Sequence, residues 1–280
     1  MTDVFWNGDF VPADRAVIVA EDRGLLHGRG LFETFRAREG RVLALDRHYQ
    51  RLREGCDALG VALPLTLREL ETAIDALARR LGLDDARMRL TVTAGAEGGA
   101  PAILLTARQA TDYPSSLYER GASAVIASVR RNETSVLSRV KSLNCLDNVL
   151  AREEARRRGA DEALLLNTSG RLAEGAFANL FVVLDGEIVT PPVDEGALPG
   201  VTRAVALDLA RSLGLRAREA PLEPAALARA TEAFLTNAVA GVLPLTAVEG
   251  RPVGNGAPGP LTETLREAYA ALLTRPAPGR

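Results

Sequence analysis

Short apolar runs broken by turn residues open the chain: Val4-Phe5-Trp6, then Asn7-Gly8-Asp9, then Phe10-Val11-Pro12, a spacing that predicts a surface hairpin. A second hairpin is predicted from residues 31–37 and 42–45 across Arg38-Glu39-Gly40-Arg41. Asp46 then caps a predicted helix carrying His48, Arg51, Leu52 and Leu59. Apolar positions recur at helical spacing over 67–81, with charges on the opposite face, and residues 87–94 and 102–107 read as strands of the same sheet.

The polar stretch Gln109-Ala110-Thr111-Asp112-Tyr113-Pro114-Ser115-Ser116 predicts an interdomain linker, dividing the chain into residues 1–116 and 117–280. Beyond it, 122–129, 163–166, 181–184 and 188–189 read as strands, and 145–158, 201–213 and 261–274 as helices. The Pro- and Gly-rich end, 276–280, is expected to fray.

At 280 residues the chain has room for two modest domains. Its 34 basic and 36 acidic residues leave a formal charge of −2, so no global field favours nucleic acid or an acidic membrane, and any anion site must be local. Cys56 and Cys145 stand at unrelated positions, giving neither a disulfide framework nor a zinc-ligand spacing. The start, Met-Thr-Asp-Val-Phe-Trp, has no basic region followed by an apolar one, and a cytoplasmic location with no metal centre is expected.

Two segments carry candidate chemistry. Lys141 lies in Val140-Lys141-Ser142-Leu143-Asn144-Cys145-Leu146-Asp147-Asn148, a mostly apolar run in which an amine is more readily held unprotonated and nucleophilic than in a solvated one. Glu174 lies in Gly170-Arg171-Leu172-Ala173-Glu174-Gly175-Ala176-Phe177-Ala178-Asn179-Leu180-Phe181 and offers a carboxylate anchor. His27 and His48 are the only histidines, so a histidine relay is not expected.

With Glu21-Asp22-Arg23-Gly24-Leu25-Leu26-His27-Gly28-Arg29-Gly30-Leu31-Phe32-Glu33-Thr34, His48-Tyr49-Gln50-Arg51-Leu52, Leu198-Pro199-Gly200-Val201-Thr202-Arg203 and Phe234-Leu235-Thr236-Asn237-Ala238, these segments resemble the class IV, fold type IV, pyridoxal phosphate aminotransferase family over nearly the whole chain. That family includes branched-chain and D-amino acid aminotransferases and 4-amino-4-deoxychorismate lyase. The resemblance implies an α/β architecture, with a smaller α+β N-terminal domain and a C-terminal pseudo-barrel domain carrying the lysine. It also implies a homodimer and pyridoxal 5'-phosphate in the cleft between the domains.

The resemblance further implies site roles. Lys141 condenses with the cofactor's aldehyde and then moves protons, and Glu174 keeps the pyridine nitrogen protonated. Val201 and Thr202 offer backbone amides to the phosphate at a helix N-terminus, Arg51 adds a planar fork, and Ala238, where relatives often carry a hydroxyl, contributes only its amide. Asn179 is expected to hold a loop, and His48 to be an oriented structural histidine. Cys145, where some relatives carry Tyr, reads as a packing residue.

The substrate carboxylate needs a cation. The Arg-x-His clamp of D-amino acid aminotransferases is missing from Gly95-Ala96-Glu97-Gly98-Gly99-Ala100-Pro101, so Arg89 and Arg29 are expected to replace it, Arg29 in its own or the partner subunit's site, with Phe32 and Thr34 beside the substrate. The expected reaction is transfer of an amino group from a D-amino acid to a 2-oxo acid. Phe32-Glu33-Thr34 supports the lyase alternative, elimination giving 4-aminobenzoate and pyruvate, and branched-chain or (R)-amine transamination follows. A cofactor-binding regulator without activity would need a broken lysine or anchor, and both are present.

Overall fold

The computed structural model of the protein describes residues 2–111 and 113–274. The expected frayed end therefore lies outside the described residues. Contacts group the described chain into one unit that runs to Thr111 and takes in Val140–Asn144, and a second made of the remainder.

The first unit begins with the hairpin β1 (Asp3–Trp6) and β2 (Asp9–Pro12), whose turn has positive φ at both Asn7 and Gly8. It continues through α1 (Arg23–His27), β3 (Gly30–Arg38), β4 (Arg41–Val42), α2 (Leu45–Leu59), α3 (Leu67–Arg80), β5 (Asp85–Thr93) and β6 (Ile103–Gln109). The strands form an antiparallel sheet in the order β2-β1-β6-β5-β3-β4.

Strand period sorts this sheet's side chains by face. Leu31, Phe35 and Ala37 of β3, Met88, Leu90 and Val92 of β5, and Leu105 of β6 join Leu52 of α2 and Leu70, Ile74 and Leu77 of α3 in one core. The alternate positions Phe32, Thr34, Arg36, Arg87 and Arg89 occupy the opposite face. Two local expectations are corrected. The second hairpin's return strand is only Arg41–Val42, and α2 is preceded at its N-cap by Ala44, in the left-handed region, so Asp46 sits inside the first turn.

The Lys141 segment, expected within the C-terminal domain, pairs instead with the start of β3. Phe32 N–H donates to Lys141 O at 2.9 Å, Leu143 N–H donates to Gly30 O at 2.9 Å, and Leu31 and Ser142 form an antiparallel bridge. The reason is backbone satisfaction: these extended residues need partners, β3 supplies them, and Val140 adds its side chain to the first core.

The second unit contains α4 (Ser115–Arg120), β7 (Ala122–Arg131), α5 (Val136–Arg139), α6 (Leu146–Arg157), β8 (Glu162–Asn167), β9 (Leu172–Gly175), β10 (Asn179–Leu184), β11 (Glu187–Thr190), α7 (Val201–Ser212), β12 (Ala217–Glu219), α8 (Ala226–Arg229), β13 (Glu232–Asn237), β14 (Gly241–Val248), β15 (Arg251–Pro252) and α9 (Pro260–Thr274). Its sheet runs β12-β11-β10-β13-β14-β7-β8-β9, with β15 on β14. β9 ends that path, yet only three residues separate it from β10, and Gly175 N–H donates to Ala178 O at 2.7 Å. The sheet must curl to allow this, which gives the expected barrel-like core.

Leu164, Leu166, Leu180, Val182, Leu235, Leu243 and Leu245 fill the barrel interior. Every residue of β8 is buried, because Ala163 and Leu165 pack on Ala151 and Ala155 of α6 while Leu164 and Leu166 face inward. Among the described residues no helix is long and apolar enough to cross a membrane, and no His/Cys/Asp/Glu group could hold a metal.

Candidate active site

Lys141 is the only lysine in the chain; every other basic side chain except the two histidines is an arginine. Its Nζ stands 4.6 Å from the centre of the Phe32 ring, and the guanidinium carbon of Arg89 stands 3.7 Å from the same centre. Phe32 follows from the register of β3: Leu31 turns into the core, so Phe32 faces the other way, and its own N–H holds the Lys141 carbonyl. Arg89 is the cross-strand partner of Thr34, one step along the same face, and Thr34 is half-buried there. An aromatic ring attracts cations at its faces, so Phe32 holds both basic side chains close to it.

Behind this face, Glu33 is 1% exposed and has two basic side chains as neighbours. Arg51 donates from Nε to Oε1 at 2.8 Å and from Nη2 to Oε2 at 2.6 Å, and His48 Nδ1 lies 2.8 Å from Oε2. Burial pushes the Glu33 carboxyl up, but the Arg51 charge and the His48 and Arg51 hydrogen bonds outweigh it and lower it to about 2. Helix α2 places His48 and Arg51 three residues apart on one side, so one carboxylate orients both. His48 is thus an oriented structural histidine.

Arg29 is placed differently from the expectation. Its Nε donates to Leu59 O and its Nη2 to Gly60 O, both at 3.1 Å, at the C-terminus of α2, where carbonyls lack helical partners. Within its own chain the guanidinium caps a helix.

In the second unit, Glu174 is 5% exposed on β9. Leu198 N–H donates to its Oε2 at 2.9 Å, and Arg131 Nε lies 3.4 Å from its Oε1. Asn179 Nδ2 donates to Leu198 O at 2.9 Å and lies 3.5 Å from Glu174 Oε2, so Asn179 does hold a loop, the one that presents the Leu198 amide. A buried carboxyl with such partners is held in one orientation.

Helix α7 starts at Val201 with Gly200 at its N-cap and no side-chain cap. Its first amides therefore keep their need for an acceptor, and the helix dipole favours an anion there. Gly200 packs tightly: a Cβ on it would lie 1.9 Å from Asn179 Oδ1. Asn179 is paired across the sheet with Thr236, whose hydroxyl is buried without a hydrogen-bond partner. Asn237 Oδ1 accepts from Val239 N–H at 2.9 Å and Ala240 N–H at 2.8 Å, a turn that does not use the Ala238 amide.

These features fit pyridoxal 5'-phosphate. Within the second unit, the orphan Thr236 hydroxyl and the uncapped amides of Val201 and Thr202 suit a phosphate's acceptor oxygens, and Glu174 suits a protonated ring nitrogen; within the first, the Lys141 amine suits an aldehyde. Sequence reasoning missed three contributors. Thr236 was overshadowed by Ala238, Arg131 has no local motif, and Glu33 shows its role only through α2.

Residues 30–248 match the family described as Amino-transferase class IV. A putative branched-chain-amino-acid aminotransferase of Methanocaldococcus jannaschii is 37% identical over 97% of this chain and 96% of its own length. A D-alanine aminotransferase of Bacillus licheniformis is 32% identical, covering 95% of each, and an aminodeoxychorismate lyase of Bacillus subtilis is 31% identical, covering 95% and 93%. Among solved structures, a branched-chain amino acid aminotransferase of T.th. with pyridoxamine 5'-phosphate superposes with a TM-score of 0.92 at 30% identity, over 98% of this chain and 95% of that one. The chain therefore belongs to the class IV aminotransferases and is a pyridoxal phosphate-dependent transaminase of fold type IV.

Proposed function

We propose that the protein transfers the amino group of an aliphatic amino acid to a 2-oxo acid, with branched-chain L-amino acids as first donors. The observation that carries this reading is the pair of cations on Phe32, Lys141 Nζ at 4.6 Å and Arg89 at 3.7 Å. A guanidinium that near the reactive amine suits a substrate bearing a carboxylate beside its amino group. The 37% identity with a branched-chain relative favours that donor class over the D-amino acids expected from sequence, which the Bacillus licheniformis relative keeps as the competing class.

In this reading pyridoxal 5'-phosphate supplies an aldehyde that accepts the amino group and a ring that draws electrons from the donor's Cα. Lys141 would hold that aldehyde through its amine and, once free of it, would serve as the base and acid that moves the donor's Cα proton. Glu174, as a carboxylate, would keep the ring nitrogen protonated. In the second unit the amides of Val201, Thr202 and Ala238 and the Thr236 hydroxyl would take the phosphate; in the first, Glu33-oriented Arg51 is the arginine that the family resemblance assigns to it.

One observation favours a second reading, the lyase. Thr34 is the cross-strand neighbour of Arg89, so a hydroxyl stands beside the proposed carboxylate anchor, where it could pass a proton to a departing group. Half-reactions with L-leucine, D-alanine and aminodeoxychorismate separate these readings. Conversion of L-leucine to its 2-oxo acid with accumulation of the aminated cofactor supports the first. Preference for D-alanine restores the D-specific reading, and pyruvate from aminodeoxychorismate without aminated cofactor establishes the lyase.

We further propose a cytoplasmic homodimer. Val17, Val19, Leu25 and Leu26 are apolar and exposed on the first unit, the composition of a surface that a second copy covers, and Cys56 and Cys145 are unpaired. Light scattering should give twice the chain mass; the mass of a single chain at micromolar concentration would contradict the dimer.

A further inference from the structure

We infer that Arg131 is a positioning residue that keeps the Glu174 carboxylate ionised and so determines on which side of the Glu174–ring contact the proton resides. The inference rests on the proposal that Glu174 faces the ring nitrogen. Arg131 ends β7 and its side chain is 14% exposed. It reaches four neighbours from four parts of the second unit. Nε lies 3.4 Å from Glu174 Oε1 and donates to Gly196 O at 3.2 Å, Nη2 donates to Ser138 O at 3.2 Å, and Nη1 donates to Asn148 Oδ1 at 3.4 Å.

Three of those acceptors are neutral, so they fix the guanidinium without cancelling its charge. Asn148 is itself fixed, its Nδ2 donating to Ala176 O at 2.8 Å in the turn that follows Glu174. Gly196 lets the side chain pass: a Cβ there would lie 3.0 Å from Arg131 Cγ, and φ is +93°. Two further partners of Glu174, the Leu198 amide and Asn179, are neutral donors. Arg131 thus sets a full positive charge against this carboxylate.

The consequence concerns one proton. With Glu174 facing the ring nitrogen, the contact is either carboxylate with protonated nitrogen, or carboxylic acid with neutral nitrogen. The proton moves along that single hydrogen bond and no other bond changes. A cation beside the carboxylate stabilises its anionic form, so Arg131 favours the charged pair, in which the protonated ring withdraws electrons most strongly. Removing that charge inside a buried site returns the proton to Glu174.

The test uses full-length enzyme loaded with pyridoxal phosphate carrying ¹⁵N in the ring, comparing wild type, R131M, R131K, N148A and E174Q by ¹⁵N chemical shift and by kcat and KM. Wild type, R131K and N148A should show the protonated-nitrogen signal. R131M should move toward the neutral-nitrogen signal, with kcat reduced about tenfold or more and KM for the amino donor little changed. A role limited to bracing the loops predicts instead that R131K fails like R131M, or that N148A shifts the nitrogen as much, and either outcome overturns the inference. An R131M enzyme that keeps the protonated signal also overturns it. E174Q tests the underlying reading separately: if it leaves the nitrogen signal at the wild-type position, Glu174 is not the ring's partner.

Discussion

Glu33 grips Arg51 with both carboxylate oxygens, at 2.8 and 2.6 Å, beneath the sheet face that carries Phe32. The Glu33 carboxyl is lowered from 4.5 to about 2, so the stability it contributes is fully present above pH 4.5 and is lost as pH falls toward 2. The contribution is on the order of 3 kcal/mol. Urea unfolding between pH 6 and 2.5 should show wild type losing stability more steeply than E33Q below pH 4.5; parallel curves would remove Glu33 as the titrating group. E33Q should also bind cofactor more weakly, because Arg51 loses its orienting anion.

Arg89 separates substrates by charge. Replacing it with Ala should raise KM for L-leucine or D-alanine by about 10- to 100-fold, the equivalent of one charge-assisted hydrogen bond, while barely changing KM for a neutral amine. Steady-state kinetics with both donor types checks this. Equal losses on both would show that Arg89 supports the Lys141 face without meeting a carboxylate.

Arg29 supplies the contrasting case. R29A removes two bonds to the end of α2 and should cost about 1–2 kcal/mol, read as a lowered Tm, with KM for amino acids unchanged. A KM increase like that of R89A would return Arg29 to the substrate site.

The contrast between these arginines marks what a sequence can carry. Lys141 and Glu174 sit in strings whose composition already matches their chemistry, and the Phe32 and Arg89 orientations follow from strand period alone. The pairing of Val140–Asn144 with β3 is a bond between backbones more than a hundred residues apart, and no side chain encodes it locally. Arg29 has the same difficulty, because its acceptors are carbonyls at the end of α2. Arg131 and Thr236 become visible only when β7, β9, β10 and β13 share one sheet.

Thr236 offers a test of the phosphate cradle. Its buried hydroxyl lacks a partner in the protein alone, so T236V should leave the cofactor-free protein as stable as wild type or slightly more stable. Affinity for pyridoxal phosphate should fall about 10- to 100-fold, the worth of one hydrogen bond to a charged group. Titration of cofactor into apoprotein measures both; unchanged affinity would place the phosphate elsewhere.

The amine at residue 141 is proposed to hold the cofactor's aldehyde, and the chain's single lysine makes this directly measurable. Reducing the loaded enzyme with borohydride and mapping its peptides by mass should place one phosphopyridoxyl group on the peptide containing Lys141. Label confined to the N-terminal amine, or a cofactor that washes out unreduced, would contradict the account.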